Sequence, residues 1–257
     1  MKRPIIDVFL SSSHKLNDGT GVMQRRIHYI IGDIHGEFDR LVLLHTKIRR
    51  FHQSHFSQRL KTIIHLGDYI DRGPDSFSVV EWLIETSNTL EPETTVVNLK
   101  GNHEAMMLKS CASGSINDRA YWIRNGGQDT LDSYRVHGYE KPPKTHLDWM
   151  AALPSFYLDR NNKIICVHAG LNPNTFPHDG EDYHLWTRSE TFFDANFSNN
   201  PDIADMKVIH GHTPSATFEP EISDNKQRIN IDTGACYGGA LTSAIIDNGN
   251  LIDFLSV

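Results

Sequence analysis

Short apolar runs and helical repeats alternate over the first half of the chain. Runs rich in β-branched residues predict three buried strands, at Ile27–Ile31, Thr62–Leu66 and Thr94–Leu99. Apolar residues at helical spacing follow each run and predict three helices, over Glu37–Phe51, Pro74–Ile84 and His103–Lys109. Because strands that alternate with helices form parallel sheets with right-handed crossovers, this half of the chain predicts a parallel sheet.

The second half of the chain is richer in strands and contains two hairpin signals. Asn161-Asn162 separates two apolar runs, and Asn248-Gly249 is typical of a tight turn before a last strand. The predicted strands are Phe156–Leu158, Ile164–Val167, Lys207–Ile209, Arg228–Ile231, Leu241–Ile246 and Leu251–Leu255. We expect these strands to pair mainly in the antiparallel direction.

The sequence predicts one main domain with two appended parts. Residues 1–26 contain loop residues and no periodic pattern, so we expect an irregular N-terminal extension. Residues 111–150 are predicted to form a small helical cap. No linker divides the remainder, and we expect residues 27–257 to form a single catalytic domain.

Composition excludes several classes of protein. Hydrophobic residues make up 39% of the 257 positions and charged residues 22%, values typical of a folded globular protein. Lys and Arg number 25 against 32 Asp and Glu, a net charge of −7, so a nucleic-acid partner is not expected. The three cysteines form no CxxC pair, and no apolar run approaches about 18 residues, so we expect no thiolate metal site, no membrane partner and a cytoplasmic location.

Polar clusters stand at the ends of the three predicted parallel strands. The clusters are Gly32-Asp33-Ile34-His35-Gly36, Gly67-Asp68-Tyr69-Ile70-Asp71-Arg72-Gly73 and Gly101-Asn102-His103-Glu104. Ligand crevices of open α/β sheets lie outside the carboxyl ends of the strands, so these clusters are expected to converge. Glycine in each cluster lets the backbone turn sharply there.

Two later histidines also follow strand-like runs and complete a candidate metal-binding set. The set is Asp33, His35, Asp68, Asn102, His168 and His210. Carboxylate, amide and imidazole ligands suit Mn, Fe or Zn better than Ca. Six ligands exceed what one tetrahedral ion requires, and two ions about 3.5–4 Å apart, bridged by a carboxylate such as that of Asp68, fit the set better.

In this order, the motifs closely resemble those of the PPP-type phosphoprotein phosphatases, which are calcineurin-like metallophosphoesterases. The matching motifs are GDIHG, GDYIDRG, GNHE, HAG and HGHT, which together cover residues 27–247. The resemblance implies an α/β fold, a four-layer α/β/β/α sandwich of two mixed sheets with a small helical cap. It also implies two divalent metal ions, with Mn expected first and Fe or Zn as alternatives.

The resemblance implies a role for each residue of the set. Asp33, His35 and Asp68 would bind the first metal ion. The second ion would share Asp68 and would be bound also by Asn102, His168 and His210. His212, two residues beyond His210, is either a residue that supports these ligands or one without a role in the site.

The same resemblance implies the catalytic residues. Arg72 and Arg188 would bind phosphate, since a planar guanidinium matches phosphate oxygens. His103 would protonate the leaving group, oriented by Asp71. The nucleophile would be a metal-bridging hydroxide that attacks phosphorus directly. Tyr237 is either a residue at the mouth of the site or part of a turn.

Each residue type also has an ordinary structural role that stays open at this point. Asp33 and Asp68 follow strands, where aspartate often caps a helix. His168 and His210 follow buried strands and are compatible with hydrogen-bonded core histidines. Arg188 beside Trp186 is compatible with an ordinary surface arginine.

Three functions remain as alternatives. Asp71 and the GNHE and HGHT forms of the motifs favour a phosphatase acting on phosphoserine and phosphothreonine in proteins, with a phosphorylated small molecule as another possible substrate. The stretch Ile231–Gly239 resembles the bacterial branch, to which symmetrical dinucleoside tetraphosphate hydrolases also belong. The alternative from another class is an inactive metal-binding module on the same fold.

Overall fold

Two five-stranded sheets form the centre of the protein, whose computed structural model describes residues 26–88, 93–194 and 197–257. In chain order the strands are β1 (Arg26–Ile31), β2 (Leu60–His65), β3 (Thr94–Asn98), β4 (Phe156–Asp159), β5 (Ile164–Val167), β6 (Lys207–His210), β7 (Glu221–Ile222), β8 (Arg228–Asn230), β9 (Thr242–Asp247) and β10 (Asn250–Ser256). The strand order is β10-β9-β1-β2-β3 in the first sheet and β4-β5-β6-β8-β7 in the second.

Helices cover the outer faces of the sheets and form the predicted cap. They are α1 (Phe38–His55), α2 (Ser76–Asn88), α3 (Asn102–Ser113), α4 (Ile116–Trp122), α5 (Gln128–Val136), α6 (Lys144–Ala152), α7 (Glu181–Trp186) and α8 (Glu190–Phe193). A π-helical turn over Ile123–Gly127 joins α4 to α5. The helical cap predicted for residues 111–150 is therefore confirmed.

The first sheet has the parallel core that the sequence predicts. Strand β1 pairs in parallel with β2, and β2 with β3, while β9 joins β1 in the antiparallel direction. Strand β1 is buried on both faces, which explains its continuous apolar run. Tyr29 and Ile31 pack under the helices, and Ile30 between them faces the second sheet.

The second sheet corrects the expectation of mainly antiparallel pairing. The predicted hairpins are present, since β4 pairs with β5 and β9 with β10 in the antiparallel direction. Strands β5, β6 and β8, however, run parallel to one another. The connection from β5 to β6 contains α7 and α8 and is long enough for a crossover, which parallel pairing requires.

Three hydrophobic clusters separate the four layers of the sandwich. One lies between the first sheet and its helices, with Leu41, Leu44 and Ile48 of α1 at its centre. The second lies between the two sheets, and the third covers the outer face of the second sheet with α8 and neighbouring loops. The α/β/β/α sandwich of two mixed sheets is thus confirmed.

The start of the described chain differs by one residue from the predicted boundary. Arg26, which the sequence places in the extension, is the first residue of β1. Residues 1–25 lie outside the described residues. Among the helices that the structure describes, none is long and apolar enough to cross a bilayer.

The loops that follow β2 and β3 touch backbone to backbone. Gly67 has φ +105°, and a Cβ at this position would overlap the backbone nitrogen of Gly101. Glycine is therefore required both for the backbone angle and for the close approach. The contact brings Asp68 and Asn102, the next residues of the two loops, to the same place.

We predict that Gly67→Ala destabilises the protein more than Gly138→Ala does. Gly138 also has a positive φ, +86°, but a Cβ there meets no atom within 4 Å. The control should lose only the cost of a left-handed backbone, about 1–2 kcal/mol. Gly67→Ala adds overlap with backbone and should lose about 1–3 kcal/mol more in urea unfolding. Equal losses would contradict the packing argument.

Candidate metal centre

Four acceptor atoms lie close together at the carboxyl ends of strands from the two sheets. Nε2 of His168 lies 2.8 Å from Oδ1 of Asn102 and 3.4 Å from Oδ1 of Asp68. Nδ1 of His212 lies 3.2 Å from the same His168 nitrogen and 2.9 Å from the Asn102 oxygen. All four side chains are buried, at most 6% exposed.

The hydrogen bonds of these side chains still leave lone pairs that can bind a cation. Nδ1 of His168 faces the carbonyl oxygen of Leu66 at 3.1 Å and must donate to it, so Nε2 carries no proton. The Asn102 oxygen and the Asp68 carboxylate are acceptors as well, and Oδ1 of Asp68 also accepts from the backbone N–H of His103 at 3.0 Å. Acceptors crowded together in this way fit a divalent cation. Nε2 of His212 is buried and has no hydrogen-bond partner among the described residues, which fits an imidazole that binds the cation through Nδ1.

A second group, the imidazoles of His35 and His103, lies near the other oxygen of Asp68. Nε2 of His35 lies 3.5 Å from Asp68 Oδ2, and Nδ1 of His35 donates to the carbonyl of Ile70 at 2.8 Å. The Asp33 carboxylate accepts from the backbone N–H of His212 at 3.1 and 3.2 Å. Asp68 thus turns one oxygen to each group, as a carboxylate shared by two ions requires.

Burial sets the ionisation of these groups. Burial, followed by the charge of His103, lowers the pKa of His35 to about 3. Burial likewise lowers the pKa of His168 and of His212. These imidazoles are therefore neutral bases at pH 7, the form in which histidine binds metal. Burial and the charges of two neighbouring carboxylates raise the pKa of Asp33, a cost that a cation would remove.

The structure does not place His210 with the other predicted ligands. His210 is the last residue of β6, and its Nε2 accepts from the Arg228 guanidinium at 3.2 Å. Its ring packs against Phe192 and Phe193 on the outer face of the sheet. The prediction of His210 as a ligand is therefore wrong, and His212 lies in its expected place.

A local sequence rule identifies His212. The groups Gly32-Asp33, Gly67-Asp68, Gly101-Asn102 and Gly211-His212 each put a site residue directly after a glycine. A Cβ at Gly101 would overlap the Asp68 carboxylate, and a Cβ at Gly211 would overlap the Asp33 carboxylate. The glycines before Asn102 and His212 leave room for a carboxylate from another loop, and those before Asp33 and Asp68 leave room for another loop's backbone, so the rule has a steric cause.

His103 lies beside this centre, and Asp71 fixes the orientation of its ring. Nδ1 of His103 is 2.6 Å from Oδ2 of Asp71, and its Nε2 is 3.9 Å from Asp68. Asp71 accepts in addition from Trp122 Nε1 at 2.9 Å and from Thr130 Oγ1 at 2.6 Å. Burial lowers the pKa of His103, but the charges of Asp68 and Asp71 raise it by more, which favours the protonated ring.

The two predicted arginines lie at different depths. The Arg72 guanidinium is 2.8 Å from Nε2 of His35 and 5.5 Å from the ring centre of Tyr237, which is 51% exposed. Arg188 is exposed, and its Nε donates to Thr213, the residue after His212. Both cations therefore border the centre from the solvent side, where an anion would enter.

The cap and the centre are joined at Arg72. The backbone N–H of Arg72 donates to the carbonyl of Gly126 in the π-helical turn, at 3.3 Å. Gly126 has φ +104°, and a Cβ there would lie 2.8 Å from the Arg72 side chain. Since Trp122 precedes the same turn, one stretch of the cap contacts both Arg72 and Asp71.

Comparisons with known proteins agree with this architecture. A family model described as calcineurin-like phosphoesterase matches residues 29–238. Serine/threonine-protein phosphatase 1 of Salmonella typhimurium is 28% identical over 85% of this chain and 91% of that protein. The asymmetrical bis(5'-nucleosyl)-tetraphosphatase PrpE of Halalkalibacterium halodurans is 26% identical over 89% of this chain and 92% of its own length. The cold-active protein-tyrosine phosphatase of a Shewanella species has the same fold, with a TM-score of 0.59 at 14% identity, over 91% of this chain and 82% of that one.

We predict that His212→Ala, but not His210→Gln, impairs metal binding. Removing an imidazole from the acceptor group should weaken Mn²⁺ binding at one site by at least about 10-fold, since even groups behind a ligand contribute that much. Gln at position 210 keeps an acceptor for Arg228. Isothermal titration of the metal-free protein measures both variants, and weakened binding in His210→Gln alone would restore the original assignment.

Proposed function

Because the chain belongs to the calcineurin-like phosphoesterases, in their PPP-type bacterial branch, and is a phosphoric ester hydrolase, we propose that it dephosphorylates phosphoserine and phosphothreonine in proteins. The main support is the buried His103–Asp71 pair, whose nitrogen and oxygen are 2.6 Å apart beside the shared carboxylate of Asp68. This pair supplies a proton donor for an alkoxide leaving group.

Divalent cations, with Mn²⁺ as the first choice, would occupy the two acceptor groups. The first ion would be held by Asp33, His35 and Asp68, and the second by Asp68, Asn102, His168 and His212. When bound, the ions supply the Lewis acid that activates the attacking water and neutralises the phosphate. Arg72 and Arg188 orient the phosphate from the solvent side, where a planar guanidinium donates two parallel hydrogen bonds.

His103 protonates the leaving oxygen through Nε2. Its other nitrogen donates to Asp71, which fixes the ring and stabilises the imidazolium before transfer. Asp71 is held in turn by Trp122 and Thr130, so it cannot rotate towards the phosphate. The proton therefore faces only the centre, where the leaving oxygen departs.

A groove beside the centre supports a protein substrate. It has a volume of about 510 Å³ and includes Met106, Tyr121 and Trp186, and the Trp186 ring is 6.4 Å from that of His212. Its one cation, Lys109, pairs with Asp118 at 3.1 Å, and Asp182 adds a further negative charge. An apolar, acidic groove suits a peptide better than the polyphosphate chain of a dinucleotide.

A dinucleoside tetraphosphate is the second candidate substrate, because relatives of similar identity are named as hydrolases of bis(5'-nucleosyl) tetraphosphates. An inactive metal-binding module is the candidate from another class. The cytoplasmic location stays a prediction from the sequence.

We predict that His103→Asn lowers kcat on a phosphoserine peptide by about 10²–10⁴-fold, the usual contribution of a proton donor. The loss should be much smaller on p-nitrophenyl phosphate, whose leaving group needs no proton. Steady-state kinetics on both substrates, with bound metal measured in each preparation, test this role. Equal losses on the two substrates would contradict this role. A lower metal content of His103→Asn would show instead that His103 is needed to keep the metal bound.

The substrate is tested in one competition. We expect the Mn²⁺-loaded protein, given equimolar phosphopeptides and diadenosine tetraphosphate, to release phosphate from the peptides much faster than it forms nucleotides, as followed by mass spectrometry. Faster release of ADP would indicate symmetrical cleavage of the dinucleotide, and ATP with AMP asymmetrical cleavage. Either result would overturn the proposed substrate, and no product from a metal-loaded protein would favour the inactive module.

A further inference from the structure

A third carboxylate lies beside the first acceptor group, outside the set that the motifs indicate. Asp232 follows β8 and is 4% exposed. Burial and, after it, the negative charge of Asp232 raise the pKa of the neighbouring Asp33 carboxyl. Two buried carboxylates this close repel each other unless a proton or a cation lies between them.

The backbone around Asp232 brings it to this position. A Cβ at Gly32 would overlap the carbonyl oxygen of Ile231, so the chain before Asp232 touches the chain before Asp33. A Cβ at Gly211 would overlap Asp33 and lie 3.7 Å from the Cβ of Asp232. The segments before Asp33, before Asp232 and around Gly211 therefore pack closely against one another, which places Asp232 beside Asp33.

Hydrogen bonds fix Asp232, and those from the described residues engage Oδ1 of its carboxylate. Oδ1 accepts from the backbone N–H of Gly234 at 3.1 Å. The backbone N–H of Asp232 donates to the Asn230 side chain, and its carbonyl accepts from Ser215. Asn230 donates in turn to the carbonyl of Thr213, so Asp232 is tied to the loop that contains His212.

We propose that Asp232 contributes its carboxylate to the first metal site, with Asp33, His35 and Asp68. This proposal rests on the two-metal site of the proposed function, but not on the identity of the substrate. A third carboxylate makes the first site harder and more negative than the second, which has two imidazoles and an amide. Oxygen ligands suit Mn²⁺, whereas imidazoles suit Zn²⁺ well, so Asp232 would favour Mn²⁺ at the first site.

The proposal is tested by Mn²⁺ and Zn²⁺ titrations of metal-free wild type, Asp232→Asn and a charge-matched control, Asp253→Asn, on the edge strand β10. We expect Asp232→Asn to weaken Mn²⁺ binding at one site about 10–100-fold, with a smaller loss for Zn²⁺ and none in the control. The exchange-coupled EPR signal of a di-Mn²⁺ pair should give way to that of an isolated ion at equal loading.

The outcomes separate this proposal from the proposed function. Wild-type binding of two Mn²⁺ ions together with unchanged affinities and coupling in a folded Asp232→Asn overturns the role of Asp232 alone. Wild-type protein that binds no metal pair overturns the two-metal site itself and this proposal with it. If Asp232→Asn does not fold, Asp232→Ser keeps an acceptor for Gly234 without the carboxylate, and its titration decides the question in the same way.

Discussion

The buried carboxylate of Glu104 fixes the distances on which the centre depends. Oε2 accepts from the backbone N–H groups of Asp68 and Gly101, both at 2.9 Å, and Oε1 from that of Tyr69 at 2.8 Å. One side chain therefore holds the turns after β2 and β3 against each other. These backbone N–H groups are buried away from water and depend on Glu104 as their acceptor. Neither turn can therefore move without breaking a hydrogen bond to Glu104, and the site residues on the two turns keep their relative positions.

The centre is costly to fold without its cations. Asp33, Asp68 and Asp232 are all buried. After burial itself, the charges of Asp232 and Asp68 raise the pKa of Asp33, the charge of Asp68 raises the pKa of Asp232, and the Arg72 guanidinium partly offsets this repulsion. Burying carboxylates that are not neutralised opposes folding. Much of the protein's remaining stability must therefore come from the apolar layers, of which the one between the first sheet and its helices holds the most buried residues. The stable sandwich holds a strained polar centre, an arrangement typical of sites whose chemistry needs charge in a dry place.

The sequence predicts this molecule well where chemistry follows strand ends. The alternation of strands and helices predicts parallel strands, whose carboxyl ends lie at one edge of the sheet. Asp33, Asp68 and Asn102 each come directly after such a strand end, so the sequence places them together. His210 was misassigned because its strand extends one residue beyond the predicted end, which turns its ring to the outer face of the sheet. Pairing within the second sheet and the place of Asp232 depend on contacts between distant segments, and no local pattern encodes them.

The π-helical turn of the cap has an evolutionary consequence. This turn accepts from Arg72, and the Trp122 beside it donates to Asp71. Under the proposed function, the segment that borders the groove therefore also braces the residues that bind phosphate and orient the proton donor. A lineage that alters the cap to accept a new substrate will disturb turnover with the same change. A change of substrate specificity should therefore begin with cap mutations that lower activity. Later mutations near Gly126 would restore that activity, and replacement of the whole cap in one step should be rare.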